Sequence, residues 1–245
     1  MQDKELEKIK FDEFTTEEPW HAFSDRTYSK IVGLFLTLAA KKRARVIDMG
    51  CGTGELTKKL LDFGFKNVSG YDISKNCISM ARKNYSGIDF QVRDIENTGL
   101  KENSVDFLFY CGILHHFTDM EDVLKEARRI LKNGGRVFVF EPNAKNPVLW
   151  LLRDEKSPFK SEKLKTPNEK FLTKIQIKGI FEKYDFNVIR LECISGISYT
   201  KGYFKKLLPF PFFYSVYLYN AFDAVLNRTF LRKKHGSFIY GYFEK

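Results

Sequence analysis

Between residues 44 and 142 the chain alternates two hydrophobic rhythms. Short apolar runs recur as ARVIDMG (44–50), NVSGYDIS (67–74), IDFQVRD (88–94), VDFLFYCGI (105–113) and GRVFVFEP (135–142), and each reads as a strand. The run at 105–113 is apolar throughout, the pattern of a strand covered on both faces. Between these runs the period changes to that of a helix. GELTKKLLDFG (54–64) stops at Gly64, Ser74 caps a helix reaching about Asn84, and DMEDVLKEARRILKNGG (119–135) stops at Asn133-Gly134. Strands alternating with helices predict βαβ units and a parallel sheet. Beyond Pro142 the pattern loosens. Residues 144–170 read as a mostly irregular connection, Thr173 caps a helix to about Tyr184, and 187–195 and 237–245 read as two further strands.

The loop after the first strand carries Gly50, Gly52 and Gly54, with Asp48 just ahead. A strand turning sharply into a helix gathers backbone N–H groups at the positive helix end. Glycines there permit tight torsions and close approach of a ligand. The dinucleotide fingerprint does not fit, because Glu55 directly follows Gly54, and the phosphate-loop ending is missing as well. A cradle bearing Glu55 suits a nucleoside ligand without phosphates. Asp72 ends the second strand, about 20 residues beyond the loop, where an acid reaches a ribose. Asp94-Ile95 ends the third, pairing an acid for an exocyclic amine with an apolar neighbour for a purine face.

Composition narrows the class. A length of 245 residues suits one α/β domain over 1–245, with 43% apolar and 16% aromatic residues arguing against disorder. Within it we expect cap helices over 1–43, a cofactor-binding core over 44–143, and a C-terminal half over 144–245. The four cysteines show no metal-ligand spacing, so no metal and no disulfide framework are expected. Together with an acidic N-terminus unlike a signal peptide, this predicts a cytoplasmic protein. No apolar run approaches the ~20 residues of a spanning helix. The net charge of +10 is uneven, with seven bases against Asp223 alone over 198–235.

With these residues in view, the chain resembles a class I S-adenosylmethionine-dependent methyltransferase of the type 11/12 kind. VIDMGCGTG resembles that family's first motif, YDIS its ribose-binding acid and RDIEN its adenine-contacting segment. VDFLFYCGILHHF resembles its fourth-strand motif and LKNGGRVFVFEPN the segment entering the fifth strand. The resemblance covers about residues 44–143. It implies a Rossmann-like, doubly wound α/β sheet of seven strands, mostly parallel with an antiparallel last strand. It also implies S-adenosylmethionine as cofactor. Gly50, Cys51 and Gly52 would pass along its methionine part and Asp48 would orient its ammonium. Asp72 would hold the ribose and Ile73 pack on the adenine. Asp94 and Ile95 would recognise the adenine edge, and Tyr110 and Cys111 would lie near the sulfonium.

Methyl transfer rests mainly on proximity and alignment, with a base for an oxygen or nitrogen acceptor. His115 and His116 follow the fourth strand, and the family pattern points first to His116 as that base. The alternative is that they brace the loop. Glu141 either faces the acceptor or caps the following turn, and Tyr28 and Trp20, on a helix expected over 20–30, are candidates to line the pocket. His21 and His235 read as ordinary surface residues. The aromatic, basic insert at 202–236 has three readings: an acceptor-pocket element, a contact with an anionic membrane, or a contact between subunits. The expected reaction is methylation of a small-molecule acceptor, with a glycan or lipid intermediate among the candidates. An RNA (tRNA) methyltransferase and a non-catalytic cofactor-binding partner are the alternatives. Nucleic acid is disfavoured, because the bases are interleaved with apolar residues and no separate RNA-binding module is visible.

Overall fold

The computed structural model describes residues 4–14, 22–38, 42–153, 156–157, 166, 168–207 and 211–245. At its centre lies a seven-stranded sheet: β1 (Arg45–Met49), β2 (Asn67–Asp72), β3 (Asp89–Val92), β4 (Val105–Cys111), β5 (Leu131–Pro142), β6 (Asn187–Ile194) and β7 (Phe238–Glu244). Their spatial order is β3-β2-β1-β4-β5-β7-β6. The first five strands pair in parallel, and β7 runs antiparallel to both β5 and β6. The expected strands and the antiparallel final strand are therefore all present.

Strand periodicity sorts the core into two layers. Ile47, Met49, Leu108, Tyr110, Val137 and Val139 point to one face of the sheet. There they meet Val123, Leu124, Ala127 and Ile130 of α5 (Glu121–Ile130) and Ile177 and Phe181 of α7 (Lys174–Lys183). The alternate residues Val46, Phe107, Phe109, Phe138 and Phe140 face α2 (Asp25–Leu36) and α3 (Glu55–Asp62). Phe35 of α2 is fully buried and touches the rings of Phe65, Phe107, Phe109, Phe138 and Tyr242. Much of the unusual phenylalanine content is consumed by this layer.

Local chemistry sets the helix starts. The Ser24 hydroxyl accepts from Thr27 N at the head of α2, and Ser74 accepts from Cys77 N at the head of α4 (Lys75–Asn84). Thr173 and Gln176 form a capping box at α7. α5 ends at Ile130, earlier than the Asn133-Gly134 stop, because Leu131 already pairs with Val105. Residues 132–135 then loop out before the ladder resumes at Arg136 and Phe107.

Two expectations change outside the sheet. The segment 144–170 is not wholly irregular, since it contains α6 (Pro147–Arg153). Pro147 occupies the first turn, where no N–H is needed, and the Asn146 side chain accepts from Val148 N and Leu149 N. Near the N-terminus the helices are α1 (Lys4–Phe14) and α2, rather than one over 20–30. Trp20 and His21 lie outside the described residues. The 202–236 insert folds as α8 (Lys201–Leu207), a 3-10 turn (Phe212–Tyr214), α9 (Ser215–Leu226) and α10 (Arg232–His235).

Because Phe35 joins helix to sheet through four strand rings, with Phe65 as a fifth neighbour, Phe35→Ala should cost about 3–5 kcal/mol. Urea denaturation of the two proteins checks this. A loss under 1 kcal/mol, about what one methylene is worth, would contradict the packing described.

Candidate cofactor and acceptor site

The parallel strands deliver their carboxyl ends to one edge, and a cavity of about 310 Å³ opens there. Gly50 N and Cys51 N donate to Tyr71 O at 2.7 and 3.0 Å, which fixes the turn out of β1. Gly54 has φ +92°, and a Cβ there would lie 2.6 Å from Phe90 Cζ, so only glycine fits. Gly52 differs: its φ is +53° but a Cβ would meet nothing within 4 Å. Its open side belongs to the cavity wall, where a ligand can approach the backbone.

Acids dominate this end. Asp48 is buried, and its Oδ2 accepts from Thr57 Oγ1 at 2.7 Å. Burial pushes its carboxyl up to about 7, and repulsion from Asp72 and Glu55 adds to this against the Thr57 bond. Asp72 accepts from Gly52 N and Ser74 N, each at 2.9 Å, and burial raises it as well. No lysine or arginine pairs with either acid among the described residues. Clustered carboxylates lacking a cation fit a ligand that carries positive charge at an amine and a sulfur. The donor set and the open Gly52 wall thus suit S-adenosylmethionine.

Asp94, Ile95 and Ile73 line the same cavity. Asp94 Oδ1 accepts from Glu96 N, while its Oδ2 takes Lys4 Nζ of α1 at 3.1 Å. Lys4 also pairs with Glu96, and Asp12 of α1 accepts from the Ser74 hydroxyl and Asn76 N. α1 therefore crosses the end of the cavity that Asp94 and Ile95 line. Cys111 lines the cavity, with its thiol pushed well up by burial. Tyr110 does not: strand alternation turns it into the opposite core layer, fully buried, so its expected place near the sulfonium is corrected.

Both histidines reach the cavity, but in different settings. His115 Nδ1 lies 2.6 Å from Glu141 Oε2. Glu141 Oε1 accepts from Ile113 N and Leu114 N at 2.9 and 2.8 Å. Glu141 is fully buried beneath the turn and does not line the cavity, so the acceptor-facing placement gives way to the turn-capping one. A carboxylate can only accept, so in the neutral imidazole Nδ1 carries the ring proton and Nε2 the lone pair. His116 Nδ1 instead meets Thr166 Oγ1 at 2.8 Å and lies 3.5 Å from Glu7 Oε2. Burial lowers its proton affinity below the usual histidine range, and His115 adds to this. Burial pushes Glu7 up, yet His116 and the Asn168 amide hold it below the usual carboxylate range. Phe11 of α1 packs edge-on against the His116 ring at 5.0 Å.

The far wall is aromatic. Phe23, Tyr28, Tyr199, Tyr203, Phe204 and Tyr219 line it. Tyr28 projects into it from α2. Tyr199 stacks on Tyr203 at 5.1 Å and meets Tyr219 edge-on at 5.4 Å. Arg153 of α6 and Glu169 form a buried pair at 3.0 Å beside these rings. The sequence showed the ring-rich stretch around 199–219 but not which rings turn inward. Arg153 and Glu169 gave no signal, because their pairing spans the 144–170 connection.

Comparison with known proteins agrees with this geometry. Residues 47–139 match the family model described as a methyltransferase domain. A demethylmenaquinone methyltransferase of Chlorobaculum parvum is 28% identical over 142 residues, covering 54% of this chain and 59% of the relative. The corresponding enzyme of Chlorobaculum tepidum is 29% identical over 105 residues, 43% of each chain. The chain spans about half the length of these curated relatives. In structure it resembles the 4+2 cyclase SpnF, with TM-score 0.66 and 14% identity over 99% of this chain and 95% of that one. A SAM-dependent methyltransferase of Thermotoga maritima gives TM-score 0.64 and 21% identity over 97% and 99%. Residues 47–139 therefore carry a methyltransferase domain on a sheet of the class I kind, and the comparisons imply S-adenosylmethionine as its cofactor.

The Asp48 carboxyl gives a pH signature. A cation beside it favours the ionised form, so affinity for S-adenosylmethionine should rise as pH climbs through about 7, with protons released on binding. Calorimetry in two buffers of different ionisation enthalpy reads this directly, and equal heats with a flat pH profile would refute it. In the unliganded protein the raised carboxyl contributes stability below its unfolded range, near 4, that is lost as pH rises through about 7. Asp48→Asn should therefore bind cofactor at least tenfold more weakly. It should also melt higher at alkaline pH, since each unit of displacement is worth about 1.4 kcal/mol.

Proposed function

We propose that the chain transfers the methyl group of S-adenosylmethionine to an oxygen or nitrogen of a small, apolar, ring-bearing acceptor. One observation carries this reading: one cavity joins the acid-rich cradle to the aromatic wall, with His115 on its lining turn and Glu141 holding that ring from beneath. When bound, the cofactor supplies a methyl on a positively charged sulfur, whose displacement needs no acid. Asp48 and Asp72 hold the charged and ribose portions. Tyr199, Tyr203 and Tyr219 offer ring faces to a planar acceptor and exclude water from it. His115 Nε2 takes the acceptor's proton as the new bond forms, and Glu141 holds the ring in the tautomer that leaves Nε2 open. This assigns the base to His115 rather than His116, whose Nδ1 is held by Thr166 and whose proton affinity burial lowers. The relatives named for demethylmenaquinone support an apolar ring acceptor. An RNA acceptor has less support, since Arg153 beside the aromatic wall is paired with Glu169.

The test supplies isotope-labelled methyl donor to the protein with cell extract, then separates organic-soluble, RNA and protein fractions. Label should appear in the organic-soluble fraction. His115→Asn should reduce it a hundred- to ten-thousandfold while leaving cofactor affinity in place. Glu141→Gln is sharper. Ile113 N and Leu114 N require the amide oxygen, so the amide NH₂ is left for His115 and drives its proton onto Nε2. That variant should fold and bind cofactor yet lose activity comparably. Label in RNA or protein alone, or full activity in both variants, would overturn the assignment.

A further inference from the structure

The insert helix α9 is apolar on both sides: it buries Val216, Tyr219 and Leu226 against the rest of the chain and leaves a second apolar face outside. Its polar residues Asn220 and Asp223 turn inward: Asp223 Oδ2 accepts from Ile197 N at 2.8 Å and Ser237 Oγ at 3.0 Å, and Asn220 exchanges two bonds with the Tyr199 backbone. Helical geometry then places Tyr217, Leu218, Ala221, Phe222, Ala224 and Val225 on the outer face, and all six are exposed. That face holds no charged residue. Phe212 before it and Phe230 and Leu231 after it are exposed as well, Phe230 and Leu218 by 80% and 76% of their surface. An apolar surface of this extent is not left bare in water without a counterpart.

The rim identifies the counterpart. Arg228, Arg232, Lys233 and Lys234 are exposed at one end of the apolar face and pair with no carboxylate among the described residues. Lys201 and Lys205 lie at the other end, with Lys201 over the Tyr214 ring at 4.3 Å. The only acid within 198–235 is Asp223, and it is buried. A second copy of the chain meeting this patch through a two-fold axis would bring cations to cations with no acid to separate them. A bilayer of anionic lipid supplies both an apolar interior for the rings and negative headgroups for the rim. Tyrosines and phenylalanines beside lysine and arginine are the side chains that settle at the headgroup level. No helix among the described residues is long and apolar enough to cross a membrane, so the contact is peripheral.

We propose that the outer face spanning the 3-10 turn, α9 and α10 docks the protein on an anionic membrane surface. The inner faces of α8 and α9 place Phe204 and Tyr219 in the cavity wall, so the docked helices also border the acceptor end. The docking claim does not depend on the proposed reaction, and its test reads lipid partition alone.

The full-length protein is mixed with vesicles of phosphatidylcholine, or of phosphatidylcholine with phosphatidylglycerol, and recovered by flotation. It should float with the anionic vesicles only, and the bound fraction should fall as salt is raised. Neutralising Arg232, Lys233 and Lys234 to alanine should weaken partition about fivefold per cation, roughly a hundredfold in all. Leu218→Gln with Phe230→Gln should weaken it at least tenfold while leaving the rim intact. Circular dichroism and calorimetric binding of S-adenosylhomocysteine confirm that both variants remain folded. Failure of the parent protein to float, or undiminished flotation of both variants, would overturn the proposal. So would a concentration-dependent dimer that the glutamine variant dissolves without any lipid binding.

Discussion

Parallel pairing of β1 with β2 on one side and β4 on the other is the constraint from which this molecule is built. The chain runs outward from β1 through β2 to β3 and then crosses back to β4 on the other side of β1, so the crossover helices part and a crevice opens at the strands' carboxyl ends. Whatever residue closes each strand is delivered there without further design. Asp48 nearly ends β1, Asp72 ends β2, and Asp94 follows β3 by two residues. Three acids far apart in sequence become neighbours through strand direction alone. Asp48 is buried and Asp72 half-buried beside it with no cation between them, an imbalance that a ligand bringing positive charge relieves, whereas Asp94 is already paired with Lys4.

The half of the chain governed by that constraint was legible in the sequence. Strand periods of two, helix caps at Ser74 and Thr173 and the glycine loop are local signals, and local signals survive without a fold. The cofactor end followed because strand ends are positions one can count to. Tyr110 is the instructive exception: it was placed by motif proximity, whereas alternation along β4 sends it away from Cys111's face. Glu141 shows the same logic from the other side. Its position at the end of β5 was readable, but that it would turn under the 114–116 turn depends on two backbone N–H groups from another strand's exit.

The acceptor end was far less legible, for a physical reason. It is assembled from α1, α2, α6 and α8–α9, whose contacts span up to two hundred residues and whose faces are chosen by tertiary partners. In α9 the sequence offered a polar stripe and an apolar remainder, and ordinary expectation would bury the larger one. The backbone groups of Ile197 and Tyr199 needed partners, however, and Asp223 and Asn220 satisfied them. These inward hydrogen bonds act together with the burial of Val216, Tyr219 and Leu226 on the same side, because an unsatisfied buried amide costs more than an exposed leucine.

α1 ties the two ends of the cavity to each other. Lys4 grips the acids beside the adenine position, Asp12 holds Ser74, and Glu7 and Phe11 rest on His116 at the opposite end. One short helix thereby supplies wall to both ends of the cavity through Lys4, Glu7 and Phe11, so a substitution in it reshapes the pocket without touching the sheet that carries the acids.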